Sequence, residues 1–277
     1  MRGLSVLMVI GASGRTGQLM RDGAGGAPVI WTSRRGGAGL ARWRPGDALP
    51  PLHGALVLSG VTSGPAEGYG ENIRIAREAA QALAAASVPL CLYASTQAVY
   101  GRTADGGATE TDLPCAPGAY GVSKLAAERV FLREFQGRSG RAVVLRLGNI
   151  AGADRLGRQV AEGRPLRLDR FPEGHGPERS YLAPACLWRL TLGLLQADAR
   201  GAELPEVMNV SGARPVAMAD ILAAAGLTFA WRAAPEGAAR RTTLSVARLA
   251  GVVPDLMPDS TPQALAAALR PPSRSLR

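Results

Sequence analysis

The sequence predicts an α/β fold in which a doubly wound parallel sheet carries a smaller C-terminal lobe. Three observations lead to this fold class. An apolar run covers residues 5–10, as expected for a central parallel strand that is buried on both faces. A glycine-rich turn follows that run directly and opens a helix. Strand-like and helix-like segments then alternate through the first 150 residues, which is the rhythm of right-handed crossovers.

The later elements follow from apolar spacing and helix-forming composition. Further strands are predicted at residues 29–32, 55–59, 90–94 and 142–147. Helices are predicted at residues 72–86 and 120–135. Beyond residue 150 we predict a helix over 185–196, a strand over 207–210 and a helix over 218–225. Residues 152–177, rich in Gly, Pro and Arg, are predicted to be irregular, and the tail 271–277 to be disordered.

This pattern predicts two parts of unequal size. Residues 1–150 form a nucleotide-binding core, and residues 151–277 form a smaller substrate-binding lobe that is partly interleaved with the core. At 277 residues and 47% hydrophobic composition, the chain is long enough and apolar enough to bury a large core.

Composition and charge argue against several classes of function. The net charge of +10 suggests a nucleic-acid partner, but the arginines are scattered and aromatic residues make up only 5%. We therefore expect no nucleic-acid binding. No apolar run approaches the roughly 20 residues of a membrane span, so we expect a cytoplasmic protein without a membrane partner. Three widely spaced cysteines and only two histidines predict neither a disulfide framework nor a metal site.

The glycine-rich turn has the spacing Gly11-x-x-Gly14-x-x-Gly17 between a strand and a helix. Glycines there allow a sharp turn and a close backbone approach, and the helix N-terminus presents free N–H groups to a pyrophosphate. The turn therefore predicts a dinucleotide site. The residues expected to line it are Gly11, Ser13, Gly14, Arg15, Thr16 and Gly17, with Ser59 and Gly60 at the end of a later strand.

The end of the second strand favours NADP over NAD. A protein that binds NAD usually has an acidic residue there for the ribose hydroxyls. Here the sequence is Ser33-Arg34-Arg35, without an acid, so Ser33 and Arg34 are candidates to bind a 2′-phosphate. Arg15 is a further candidate for the same phosphate. NADP is therefore the expected cofactor, with NAD as the less favoured choice.

One lysine, Lys124, occurs among 32 basic residues, and it stands four positions after Tyr120. A chain that otherwise uses arginine retains lysine where chemistry needs a compact ammonium with a tunable pKa. Residues four apart share one helix face, so both side chains can face the cofactor. We expect the ammonium to lower the pKa of the Tyr120 phenol and to bind the nicotinamide ribose. Thr96, at the strand end, is placed to donate a hydrogen bond to a substrate carbonyl.

The glycine turn, the sequence Ser95-Thr96-x-x-Val99-Tyr100-Gly101 and the spacing Tyr120-x-x-x-Lys124 together resemble the extended short-chain dehydrogenase/reductases. Within these, the chain is most similar to the NAD-dependent epimerase/dehydratase family, which acts mostly on nucleotide sugars. The resemblance implies a Rossmann core. It also implies a set of site residues: Thr96, Tyr120, Lys124 and Asn72 in catalysis, and Thr96, Asn149 and Arg179 on the substrate side.

The resemblance further implies a homodimer that associates through the two helices at residues 72–86 and 120–135. Apolar contact between the subunits would come from Ala79, Leu83, Leu125 and Phe131. Packing within the core of one subunit would explain the same four residues.

The substrate half departs from the family pattern. The stretch after Arg146 lacks the family's Tyr and Pro residues, and the stretch after Arg179 lacks its acids, which puts a nucleotide-sugar substrate in doubt. Nearby arginines suggest an acidic or phosphorylated substrate; they are Arg155, Arg158, Arg164, Arg167 and Arg170. Our hypothesis is an NADP-dependent oxidoreductase for a carbonyl or alcohol of a sugar-like or small acidic substrate. The alternatives are an epimerase or dehydratase with retained NAD(P), and a non-catalytic NADP-sensing regulator.

Overall fold

A computed structural model describes residues 6–25, 28–104 and 106–269. Its centre is a parallel seven-stranded sheet, which confirms the predicted fold class. The strands, in their order across the sheet, are β10 (Val207–Val210), β6 (Arg141–Leu147), β5 (Leu90–Thr96), β4 (Gly54–Val57), β1 (Leu7–Ile10), β2 (Val29–Ser33) and β3 (Ala41–Arg42).

Helices cover both faces of this sheet, as the unbroken apolar run of β1 predicts. Leu7 and Val9 pack on one side, against α1 (Arg15–Asp22) and α5 (Pro184–Ala199). Met8 and Ile10 pack on the other side, in the cluster that includes residues of α2 (Glu71–Ala85) and α3 (Ala119–Glu134). Every residue of β1 is therefore buried, and the strand ends that matter for function meet at one edge.

A smaller group of elements lies beyond β6 and has its own apolar cluster, which includes Tyr181, Ile221 and Leu265. Its strands are β7 (Asn149–Ile150), β8 (Arg167–Arg170), β9 (Glu178–Leu182), β11 (Pro215–Ala217), β12 (Ala230–Ala233) and β13 (Arg241–Thr242). Its helices are α4 (Arg155–Ala161), α6 (Met218–Ala224) and α8 (Pro262–Ala266), whereas α7 (Ala247–Val252) packs beside β10 in the main apolar cluster. Because α5 and β10 return to the main sheet, the division at residue 150 stays a prediction.

The prediction of irregular structure over residues 152–177 is wrong in part, because α4 and β8 fall within it. Local hydrogen bonding starts α4: the Asp154 carboxylate accepts a hydrogen bond from the Gly157 N–H at 2.8 Å. Gly157 also lies against Gly152, where a side chain would not fit. β8 has four residues and α4 has seven. Elements this short carry too few apolar positions to show the hydrophobic periodicity of a strand or a helix. The tail 271–277 lies outside the described residues.

Three of the four residues that the sequence offered for a dimer contact lie inside one subunit. Ala79, Leu83 and Phe131 are buried in the cluster between the sheet and α2 and α3, and Leu125 packs beside Tyr100. Ala79, Leu83 and Phe131 are core residues, so these three supply no surface for a partner. No helix in the described part of the chain has both the length and the apolar character that crossing a membrane requires.

Candidate active site

The glycine turn between β1 and α1 is as tight as its spacing predicts. Gly11 has a φ of +88°, and a Cβ there would lie 2.6 Å from the backbone nitrogen of Ser59. A Cβ on Gly17 would lie 2.5 Å from the Ala12 Cα, so the first turn of α1 packs directly on the loop. Gly14 has φ −69° and has room for a Cβ, whose nearest neighbour would be 3.4 Å away. Two of the three glycines are therefore required by the fold itself.

We expect Gly11→Ala to lower the free energy of unfolding by about 2 kcal/mol or more, since it combines left-handed backbone strain with a clash against the end of β4. Gly14→Ala is the matched control and should cost less than about 1 kcal/mol, the scale of an N-cap change. Urea denaturation of the two variants measures the difference. Equal destabilisation would contradict the assignment of Gly11 as the turn that fixes the loop.

A cleft of about 950 Å³ runs from this turn along the ends of β1, β2 and β4. It is lined by seven of the residues predicted to bind the cofactor: Gly11, Ser13, Gly14, Ser33, Arg34, Ser59 and Gly60. Arg15 is not among the residues that line this cleft. Its Nε donates a hydrogen bond to the Gly152 carbonyl at 3.1 Å. The prediction that Arg15 reaches the 2′-phosphate is therefore not supported; its side chain ties the loop to the C-terminal half.

The end of β2 forms the basic wall of the cleft. The Ser33 hydroxyl accepts a hydrogen bond from the Gly36 N–H at 2.9 Å, so it shapes the turn that carries Arg34. Four arginines line this end of the cleft: Arg34, Arg35, Arg44 and Arg74. Trp43 lines it too, and its indole N–H is buried without a hydrogen-bond partner among the described residues. An orphaned donor beside a glycine cradle and a basic wall fits an adenine nucleotide.

Tyr120 and Thr96 meet at the edge of the sheet. Tyr120 stands in the first turn of α3, beside Thr96, the last residue of β5. The Tyr69 ring packs against the Tyr120 ring with centroids 5.6 Å apart. Burial raises the pKa of Tyr120, while the Thr96 hydrogen bond and the charge of Arg158 act in the opposite direction. The phenol therefore keeps its proton at neutral pH and can act as an acid.

Lys124 is buried on the same helix, but its amine contacts the sheet. Its Nζ donates hydrogen bonds to the Tyr93 hydroxyl and to the Ala94 carbonyl, both at 2.7 Å. Burial lowers the pKa of Lys124 to about 7, and the charge of Glu128 opposes that shift. No hydrogen bond joins Lys124 to Tyr120 within the described ranges. The expectation that the ammonium itself lowers the pKa of Tyr120 is therefore wrong for the protein alone.

Asn72 holds the loop that follows β4. Its Oδ1 accepts from the Val61 N–H at 2.7 Å, and its Nδ2 donates to the Val61 carbonyl at 3.1 Å and to the Ser123 hydroxyl at 3.0 Å. All these bonds join parts of the protein to one another. The structure thus gives Asn72 a positioning role beside Gly60, in place of the direct catalytic role that the resemblance implies.

A buried polar network accounts for other motif residues. The Glu128 carboxylate accepts from the Ser95 hydroxyl and pairs with Arg146 at 2.9 Å, both ion-pair side chains being almost fully buried. Arg146 also donates to the Tyr100 hydroxyl at 2.8 Å, which donates to Asn209 at 2.8 Å. These bonds join α3, β5, β6 and β10. They stabilise the floor of the site, since a buried charge without its partner is costly.

The two substrate-side residues have different surroundings. Asn149 accepts a hydrogen bond from Gln97 Nε2 at 2.8 Å. The Arg179 guanidinium donates to the carbonyls of Glu178, Arg240 and Ala239 at 2.7 to 2.9 Å. Arg179 therefore clamps the backbone of its own lobe, and its predicted role in substrate binding lacks support in the structure.

Sequence reasoning missed Tyr69, Tyr93 and Trp43 as residues of the site. Tyr93 could have been found from spacing alone, because it lies two positions before Ser95 and so shares that face of β5. Tyr69 and Trp43 stand in segments without a periodic signal. Arg158 was one of five candidate arginines; the other four are exposed, whereas Arg158 is half-buried and acts electrostatically on Tyr120.

Comparison with known proteins agrees with this geometry. The model of the NAD dependent epimerase/dehydratase family matches residues 58–182. A search of curated proteins found no match. MoeE5 in complex with UDP-glucose and NAD is 22% identical, with 96% of this chain and 97% of that chain covered and a TM-score of 0.76.

Two further solved structures have the same fold. UDP-glucuronic acid 4-epimerase from Bacillus cereus, in complex with NAD, is 18% identical over 95% of each chain, with a TM-score of 0.75. RMD from Pseudomonas aeruginosa, complexed with NADPH, is 22% identical over 96% of this chain and 98% of that chain, with a TM-score of 0.74. The family model matches residues 58–182 of this chain, and the three solved structures share its fold, in agreement with the resemblance that the motifs indicate.

Proposed function

We propose that this protein is an NADP-dependent oxidoreductase that acts on a carbonyl or alcohol group of a sugar-like or small acidic substrate. The observation that carries the proposal is the placement of Tyr120, in the first turn of α3, beside Thr96 at the end of β5. In the reducing direction, Thr96 and Tyr120 bind the carbonyl oxygen, and the Tyr120 hydroxyl gives its proton to that oxygen. The raised pKa of Tyr120 suits a proton donor.

A nicotinamide dinucleotide, when bound, supplies the hydride that the carbonyl carbon accepts. The residues proposed to hold it are those of the glycine turn, with Ser59 and Gly60 beside the pyrophosphate and Lys124 beside the ribose. Thr16 and Gly17, in the first turn of α1, belong to the same cradle. The backbone of the turn can come close to the pyrophosphate because Gly11 carries no Cβ. Ser59 lies directly opposite Gly11.

The choice of NADP rests on the basic wall at the end of β2. Arg34 lines the cleft there. Guanidinium groups bind phosphate bidentately, so Arg34 is the residue we assign to the 2′-phosphate. The solved neighbours bind either dinucleotide, NADPH in RMD and NAD in the epimerase.

We expect Arg34→Asp to raise the dissociation constant for NADPH about 10- to 100-fold, since a carboxylate repels the phosphate, and to leave or improve the affinity for NADH. Arg129→Asp, on the exposed face of α3, makes the same change of charge and serves as the control. Fluorescence titration with both reduced dinucleotides measures the effect. Unchanged NADPH affinity in Arg34→Asp, or tighter NADH than NADPH binding in the wild type, would contradict NADP as the cofactor.

An acidic substrate is favoured by Arg158. Burial raises the pKa of both Tyr120 and Asp154, and the charge of this half-buried guanidinium opposes that rise at both groups. It makes no hydrogen bond or ion pair of its own with the described residues, so it is free to bind a carboxylate or phosphate near the reacting carbonyl. Of the five arginines that suggested an acidic or phosphorylated substrate, we assign the anion-binding role to Arg158.

An epimerase or dehydratase with retained NAD(P) is the second candidate, and the family match and the nucleotide sugars bound by MoeE5 favour it. The sensor alternative has less support, since the chain retains the Tyr120-x-x-x-Lys124 spacing. Mass spectrometry of the dinucleotide that co-purifies, followed by a panel of carbonyl acids monitored by NADPH absorbance, tests the proposal. Net NADPH consumption supports a reductase; product formation without net consumption would overturn that assignment for the epimerase.

Cytoplasmic location and a homodimer stay predictions. With Ala79, Leu83 and Phe131 buried within the subunit, a dimer would need other side chains on the same helices, such as Val122, which is exposed on α3. Light scattering of the purified protein distinguishes a monomer from a dimer.

A further inference from the structure

We propose that Tyr93 is a positioning residue for Lys124: its hydroxyl and the Ala94 carbonyl hold two of the three N–H bonds of the ammonium, which leaves the third for the ribose in the cleft. The contacts themselves are independent of the proposed function, and only the task of the third N–H rests on it. A Cβ built on Gly60, which lines the cleft, would be 3.9 Å from Nζ. The free N–H therefore has the cleft within its reach.

The contact follows from the geometry of a helix packed on a strand. Side chains two apart on β5 share a face, and side chains four apart on α3 share a face. Tyr93 and Ser95 form one such pair and Lys124 and Glu128 the other. The two pairs match in order, since Tyr93 contacts Lys124 and Ser95 contacts Glu128. The Tyr93–Lys124 and Ser95–Glu128 contacts are thus both set by the same register of α3 on β5.

Packing holds the Tyr93 ring in place. The side chain is fully buried and stacks on Phe131 with ring centroids 4.8 Å apart. Phe131 lies two turns after Lys124 on α3, so the helix that carries the amine also holds the ring that binds it. With the ring fixed, the position of the hydroxyl is fixed as well, and it defines where Nζ can lie.

Because Lys124 is buried, the Tyr93 side chain is needed to stabilise its ammonium group. A buried ammonium is costly unless polar groups replace water. Nζ lies 4.1 Å from the centroid of the Tyr93 ring, so both the ring and its hydroxyl stabilise the charge. The titratable and charged groups near the amine are Tyr93 on β5, and Tyr120 and Glu128 on α3. Glu128 is already engaged by Ser95 and Arg146, which leaves Tyr93 as the side chain that binds the amine directly.

The single lysine makes a direct test possible. Lysine labelled with ¹⁵N at Nζ gives one side-chain resonance in this chain, and its pH titration reports on Lys124 alone. For Tyr93→Phe we expect the titration midpoint to fall by about one pH unit, because an acceptor of the ammonium is lost. From a wild-type midpoint of about 7, the charged fraction at pH 7 would fall from about one half to about one tenth.

Tyr181→Phe is the matched control, since it removes another fully buried hydroxyl, which is bonded to Asp154 at 2.8 Å in the other lobe. We expect a similar loss of thermal stability and no shift of the lysine midpoint. The alkaline limb of the pH profile of kcat should move to lower pH in Tyr93→Phe. A lysine midpoint that is equal in Tyr93→Phe, Tyr181→Phe and the wild type would overturn the inference.

The two proposals fail in different ways. If the wild type neither binds NADPH nor consumes it, the proposed function fails, yet the lysine titration still decides whether Tyr93 positions the amine. If the midpoint does not move while NADPH is consumed normally, the positioning role fails and the proposed function stands.

Discussion

The Tyr120→Phe variant is expected to lose turnover by about a thousandfold, while its dissociation constant for NADPH stays within about threefold of the wild type. The substitution removes the one hydroxyl that can give a proton to the carbonyl oxygen, and it keeps the ring that packs against Tyr69. The fold should be retained, because the hydroxyl contacts Thr96 and no buried charge depends on it. Single-turnover absorbance measurements and a binding titration give the two quantities.

Two further variants test whether the loss of turnover is specific to the Tyr120 hydroxyl. Thr96→Val keeps Tyr120 and removes its hydrogen-bond partner, so turnover should fall by a smaller factor, about 10- to 100-fold. The pKa of Tyr120 should also rise in that variant, because the Thr96 hydrogen bond lowers it. Tyr100→Phe, which removes a buried hydroxyl from the network around Arg146, should lower thermal stability and retain most turnover. Loss of NADPH binding in Tyr120→Phe would argue for a structural role of the phenol.

The sheet could be predicted from the sequence because its signal is local. Residues 7–10 form an apolar run whose two faces are buried by different helices, and no long-range information is needed to recognise it. The glycine turn is equally local, since Gly11 and Gly17 are required by contacts within the first 60 residues. The proximity of Tyr120 to Thr96 is not local in sequence, and it was predicted from the motif pattern alone.

The hydrogen-bond partners of the polar side chains could not be predicted from local sequence patterns. Arg15 and Arg179 both carry a guanidinium that suits a phosphate or carboxylate. Three of the four carbonyls they bind lie 137, 61 and 60 residues away in sequence. Which acceptor an arginine finds depends on how distant loops fold over it. The amine of Lys124 shows the same limit: its helix position follows from the sequence, whereas its contact with Tyr93 depends on the packing of α3 on β5.

Lys124→Arg is expected to lose activity by at least about a hundredfold although the formal charge is unchanged. The Lys124 side chain is almost fully buried, and its amine fits between the Tyr93 hydroxyl and the Ala94 carbonyl. A planar guanidinium is larger and cannot make both bonds from one nitrogen without displacing the ring. Lys124→Met, which keeps the length and removes the charge, is the companion variant: it should fold and be equally inactive. Near-normal turnover in either variant would contradict the role of the ammonium.

The pH dependence of stability tests whether the buried amine of the wild type loses its proton near neutral pH. In the wild type the pKa of Lys124 is lowered to about 7, below its ordinary value of 10.5. Between these values the unfolded chain binds a proton that the folded protein does not, so this group makes stability rise with pH across the window. Arginine cannot release its proton there, so Lys124→Arg lacks that rise. Methionine has no proton to release, so Lys124→Met lacks the rise as well. We therefore expect the Tm of the wild type to increase relative to that of both variants from pH 7 to pH 10. A constant deficit for Lys124→Arg over this range would mean that the wild-type amine stays charged when buried.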